Sequence, residues 1–108
     1  MMNKKVLKKV DEKILLLSIV GTLEAVKDRG ITIDEAEKFL FSPHMIKELR
    51  LRQCNEKIIE LIVKGCELED IASLLPEKLN EVIVDLKKET IKIVKNYEEY
   101  SNTFWLQE

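Results

Sequence analysis

The chain has 108 residues, of which 45% are hydrophobic and 35% charged, and its net charge is −2. That length fits one domain with a single core. The density and even spacing of apolar residues exclude disorder for the body of the chain. Charge is unevenly placed: residues 1–10 carry Lys4, Lys5, Lys8 and Lys9 and no acid, whereas residues 54–75 carry Glu56, Glu60, Glu67, Glu69 and Asp70 against Lys57 and Lys64. The basic start reads as a solvated helix beginning.

The first helix is predicted from about Lys4 to Arg29. Val6, Val10, Ile14, Leu17 and Gly21 follow one stripe at helical spacing, and Leu7, Leu16, Leu23 and Val26 widen it. Around Ile14–Leu17 the helix is apolar on all sides, which predicts burial against more than one neighbour. The run is too short for the roughly 20 residues of a membrane span. Asp11 and Glu12 interrupt its approach and Glu24 follows it, which does not fit a signal peptide. Gly21 is expected to let a neighbouring helix approach, and Gly30 to supply a left-handed stop.

Thr32-x-x-Glu35 is a capping box that starts a second helix, about Ile33 to Phe41, burying Ile33, Ala36, Phe39 and Leu40. Ser42 then caps a third helix with Pro43 in its first position. Met45, Ile46 and Leu49 form its core face. Asn55 caps a fourth, which contains Ile58, Ile59, Leu61, Ile62 and Val63 and precedes Gly65. Leu68, Ile71, Ala72 and Leu75 mark a short fifth helix ended by Pro76. The sixth, about Glu77 to Tyr97, aligns Leu79, Val82/Ile83, Leu86, Thr90, Ile93/Val94 and Tyr97, and leaves Val84 and Ile91 on another face. After a polar break, Phe104-Trp105-Leu106 either folds back over the core or anchors a partner.

Little of the sequence carries reaction chemistry. His44 has no nucleophile or carboxylate at triad spacing, and Gly21, Gly30 and Gly65 are isolated rather than grouped in a phosphate loop. Cys54 and Cys66, with His44 the only histidine, do not make two close ligand pairs for zinc. They read as free, partly buried thiols in a reducing cytoplasm. Glu56/Glu60 and Glu81/Asp85 are i,i+4 carboxylate pairs, but the Glu-x-x-His of a di-metal bundle is missing. The expectation is a chain that is not an enzyme and has no cofactor or metal.

Residues 56–75, EKIIELIVKGCELEDIASLL, resemble a helix-turn-helix of the two-component response-regulator type. The next helix opens Glu77-Lys78-Leu79-Asn80-Glu81 and continues to Asp85. A DNA reader needs basic and amide side chains there, so nucleic acid is disfavoured as a partner and the motif reads as scaffold. A longer resemblance covers Leu17–Leu86. It rests on Gly30-Ile31-Thr32-Ile33-Asp34-Glu35-Ala36-Glu37-Lys38-Phe39-Leu40-Phe41-Ser42-Pro43 and on Glu67-Leu68-Glu69-Asp70-Ile71-Ala72-Ser73-Leu74-Leu75-Pro76. With these stretches the chain resembles a family of small helical proteins of Gram-positive bacteria, a domain of unknown function. The resemblance implies a fold and carries over no functional residue.

The sequence thus predicts one all-α domain over residues 1–108, a compact orthogonal or bundle-like array of five to six helices with long first and last helices. Residues 1–5 are expected to fray and 99–108 to form a folded-back tail. The expected role is a non-enzymatic, cytoplasmic protein-interaction module that binds another protein or a second copy of itself. Val84, Ile91, Phe104, Trp105, Glu67, Glu69 and Asp70 are the candidate contacts. The alternatives are a helix-turn-helix DNA-binding regulator, or an immunity- or antitoxin-like protein whose Glu67, Glu69 and Asp70 meet a basic partner.

Overall fold

The computed structural model describes residues 5–100, and every regular element within them is helical. In chain order these are α1 (Lys9–Lys27), α2 (Ile33–Phe39), α3 (Pro43–Leu51), α4 (Glu56–Gly65), α5 (Leu68–Leu74) and, after a single 3-10 turn at Pro76–Lys78, α6 (Leu79–Val94). The all-α expectation holds. Four of these helices are nine residues or longer, while α2 and α5 have seven residues each. Four principal helices with two short pieces therefore replace an array of five to six.

Local chemistry sets most boundaries. Thr32 Oγ1 accepts from the Glu35 amide at 3.0 Å, Ser42 Oγ from Met45 at 3.1 Å and Asn55 Oδ1 from Lys57 at 2.8 Å, each satisfying a donor left free at a helix start. Two expectations for α1 are corrected. It starts at Lys9, because the preceding chain is extended and the Leu7 amide donates to the Arg52 carbonyl at 3.0 Å. Its left-handed stop is Arg29, with φ of 65°, and not Gly30. The Gly30 amide instead donates to the Ala25 carbonyl at 2.7 Å, closing the C-terminal turn.

The core is built on α4, where Ile58, Ile59, Leu61 and Ile62 are completely buried. Leu16, Ile19 and Leu23 of α1, Leu68 of α5 and Ile83 of α6 join it, with Ala36, Leu40, Phe41, Leu49 and Leu86 also buried in the same cluster. Helices α1 and α6 run antiparallel: Glu24 pairs with Lys87 near one end, and Glu12 meets Tyr97 beyond the other. Lys64 of α4 pairs with Glu89 of α6 at 3.0 Å. The Thr90 hydroxyl, fully buried in α6, donates to the Leu86 carbonyl at 2.8 Å and so keeps a partner inside the core.

Helix α1 turns a different face inward from the one its main stripe predicts. Leu16, Ile19, Leu23 and Val26 are buried, whereas Leu17 is 53% exposed, Ile14 is on the surface and Gly21 is open. The helix carries two apolar stripes, and α4 and α6 cover only one. A Cβ at Gly21 would meet nothing within 4 Å, so no helix approaches there. A second correction concerns α2, which ends at Phe39 because Leu40 leaves helical geometry (φ −145°, ψ −44°). Phe39, the last residue of the helix, is 61% exposed, while Phe41, past the bend, is only 2% exposed. The Phe41 ring then occupies the place that a side chain at Gly65 would need.

One buried carboxylate joins three parts of the chain. Glu12 is 4% exposed; its Oε2 accepts from the Asn55 amide at 2.8 Å and its Oε1 from the Tyr97 hydroxyl at 2.7 Å. Lys9 Nζ lies 3.8 Å from Oε1 and 5.7 Å from the centre of the Tyr97 ring. Burial, followed by the bond to Glu12 and the Glu12 charge, pushes the Tyr97 phenol up to about 12.

The two glycines predict opposite outcomes. Gly21→Ala should stabilise by about 1 kcal/mol, the helix-propensity difference in open space. Gly65→Ala should destabilise by about 1–3 kcal/mol through overpacking against Phe41. Urea denaturation of both variants checks the signs. Tyr97→Phe should cost about 1.5–3 kcal/mol at neutral pH, as expected for a hydrogen bond to a charged group. Because the folded phenol titrates above its ordinary 10, the unfolded chain releases that proton first as pH rises. The wild type's advantage should therefore shrink from about pH 10 towards 12, which chemical denaturation across that range will show.

Candidate functional site

The short helices α2 and α5 pack together, and each opens on acids: Asp34 and Glu35 in the first turn of α2, Glu69 and Asp70 in that of α5. Such carboxylates stabilise their own helix N-termini. Packing the two helices together adds a consequence for Glu37. Burial raises its carboxyl above the ordinary value, and the charges of Glu69, Asp34 and Asp70 raise it further. Lys38 offsets Asp34 at 3.1 Å. The Cys66 thiol is also raised, by burial and then by Glu37 and Glu67.

Glu67, Glu69 and Asp70 are all exposed. They are the acids that the sequence offers as contacts for a basic partner; Asp34 and Glu37, about thirty positions earlier, were not among those candidates and join them only through the α2–α5 contact. It also missed the apolar surface of these helices. Phe39, Leu74 (76% exposed) and Leu75 are presented to solvent on or just after α2 and α5. No spacing rule signals this, since Phe39 and Leu75 sit at positions that helical periodicity assigns to the core.

The remaining candidates do not converge on this end. Val84 is half-buried in α6 and Ile91 is 39% exposed, so their face of α6 is only partly open. Phe104 and Trp105 lie outside the described residues. On α6, Glu81 and Asp85 are exposed towards its start and Lys88 and Lys92 from its middle on, with Lys95 exposed just past its end, while Lys87 is engaged by Glu24. The thiols are free; burial, then the Glu12 charge, pushes Cys54 up to about 11, which keeps it a protonated, weak nucleophile at neutral pH. Among the described residues, no group of three or more Asp, Glu, Cys or His side chains is placed to hold a metal ion, and no helix is long and apolar enough to cross a membrane.

A second surface lies on the outer face of α1. Val10, Lys13, Ile14, Leu17, Ser18 and Tyr100 line a mostly apolar groove of about 360 Å³. The chain reaches it from Tyr97 across the start of α1, and Lys13 Nζ donates to the Glu98 carbonyl at 2.8 Å on the way.

Glu37→Gln should stabilise the fold slightly at pH 7, within the ~0.5 kcal/mol usual for surface changes. The folded carboxyl titrates above 4.5, so ionised Glu37 costs stability above its folded pKa and nothing below the unfolded one. The gain should vanish as pH falls towards 4.5, measured as the difference in melting temperature between the two proteins.

No curated protein and no solved structure matches the chain. A family model does match it, over residues 7–107, and is described as a protein of unknown function, DUF3969. With nearly its whole length inside that match, the chain belongs to the DUF3969 family.

Proposed function

We propose that this chain is a non-enzymatic protein-interaction module acting in the cytoplasm, and that its partner face is the end formed by α2 and α5. The observation that carries this reading is the packing of α2 against α5, which brings Asp34 and Glu37 beside the exposed Glu69 and Asp70. Like charges held together raise the energy of the free protein, and an approaching cationic surface relieves that repulsion. The same charges accelerate and orient the encounter with a basic partner. Exposed Phe39, Leu74 and Leu75 supply apolar contacts of the kind that carry interface affinity. In its most specific form the module is immunity- or antitoxin-like and neutralises a basic protein.

A DNA-binding regulator is the second reading, favoured by Lys88, Lys92 and Lys95 standing exposed on or just past the helix that follows α4 and α5. Exposed Glu81 and Asp85 at the other end of that helix oppose it.

Affinity purification with wild type and with a Glu37→Lys/Glu69→Lys/Asp70→Lys bait decides the matter. The wild type should retain a basic protein whose association slows as salt rises, and the charge-reversed bait should lose it. Equal retention by both baits would sink the proposal. Salt-dependent retention on duplex DNA, with no protein partner, would favour the regulator instead.

A further inference from the structure

The apolar outer surface of α1 continues onto α6. Lys87 of α6 pairs with Glu24 of α1, and Val84 and Ile91 stand one turn before and one turn after Lys87, on the same side of that helix. Because the two helices run antiparallel, the step from Lys87 to Ile91 matches the step from Glu24 back to Val20. Ile91 therefore lies beside the turn of α1 that carries Leu17. Val10, Ile14 and Leu17 of α1 and Ile91 of α6 make one apolar face, two helices wide, that no described helix covers. Its features are ordered about a single point near Leu17 and Ser18. Ile14 stands one turn to one side, and Gly21, where a Cβ would meet nothing within 4 Å, one turn to the other. Lys13 lies on the N-terminal side, Glu24 and Asp28 on the C-terminal side. Such a face complements itself when turned end for end, whereas a parallel copy would set like charges together.

We propose that this face binds a second copy of the chain, with α1 packed antiparallel on the partner's α1 about a two-fold axis near Leu17 and Ser18. That one axis sets Leu17 against its counterpart, Ile14 over the partner's Gly21 and Lys13 beside the partner's Glu24. The two α1–α6 pairs then stack as a four-helix bundle. The charged groups have capacity for this second contact. The Lys13 ammonium has donors beyond the one given to the Glu98 carbonyl, and the Glu24 carboxylate, bonded by Lys87 through Oε1, can accept from a second cation. A face about 28 Å long and about 20 Å across two helices buries about 500 Å² per copy, roughly 1,000 Å² in all, which is the lower bound of a specific interface. The dimer therefore dissociates in the micromolar range. This inference is independent of the α2–α5 partner face, which lies on other helices.

Sedimentation equilibrium of the full chain across the micromolar range should show the 12.6 kDa monomer passing to a dimer. Leu17→Glu changes an exposed residue, so it should keep the helical circular dichroism and yet remain monomeric. Lys13→Glu and Glu24→Lys should also keep the helical signal. Each alone sets like charges together at both ends of the antiparallel pair and should weaken the dimer by about tenfold or more. Mixed in equal amounts, the two variants restore both unlike pairs and should form a heterodimer of near wild-type affinity. Three results would overturn the proposal. The first is a wild type that stays monomeric up to millimolar concentration. The second is a dimer that Leu17→Glu leaves intact, which would place the interface on another face. The third is a mixture of the two folded charge variants that associates no more tightly than either does alone.

Discussion

Glu12 is the constraint on which the arrangement of this chain depends. A carboxylate removed from water is costly unless its oxygens are matched by donors. Here one oxygen takes the amide of Asn55 and the other the hydroxyl of Tyr97. Those donors belong to the start of α4 and to the chain leaving α6, so satisfying one side chain positions three segments. Asn55 is also the cap of α4, donating its amide to Glu12 while its side chain accepts from Lys57. The central helix therefore begins where α1 requires. The exit from α6 is fixed by the same carboxylate, and this directs the chain across α1.

Much of this was legible in the sequence because it rests on local chemistry. Thr32, Ser42-Pro43 and Asn55 mark helix starts through side-chain acceptors a few atoms from the amides they serve. The buried faces of α4 and α6 follow from the main apolar stripe of each, with Val84 and Ile91 standing off that of α6. Helix α1 was misread because it has two such stripes, and periodicity cannot say which one meets α4. Phe39, expected in the core, is exposed instead, and the aromatic ring that packs against Gly65 is that of Phe41, past the bend at Leu40. The acids of α5 were visible as a cluster, but Asp34 and Glu37 joined them through a tertiary contact that has no sequence signature. Glu12 served in the sequence only as an acid interrupting the approach to the apolar run, because its two partners come from segments more than forty residues away.

The molecule divides its unusual surfaces between two regions. At the α2–α5 end, carboxylates that shield short helix starts also accumulate beyond what the nearby cations offset, and apolar side chains stand among them. Along α1 the surface is apolar with a single lysine at its edge, and the chain's own course leads onto it. The first is acidic with exposed apolar side chains on the same two helices; the second is an apolar stripe that the described helices leave uncovered. Neither depends on a reactive side chain, since the buried thiol of Cys54 is held protonated by its surroundings.

The antiparallel pairing of α1 and α6 also bears on how the protein is made. Helices α3 and α4 pack as neighbours along the chain, but the two longest helices are separated by every other helix. Pairing of such distant segments raises contact order and closes a long loop late. During synthesis from the N-terminus, α4 is complete while the strongly apolar face that receives α6 is still open. Only after Leu86 and Thr90 leave the ribosome can the core be sealed, and only after Tyr97 can Glu12 be matched. The nascent chain thus passes through an interval in which its most apolar helix is exposed, and that interval is where vectorial folding is most open to aggregation or to assistance by a chaperone.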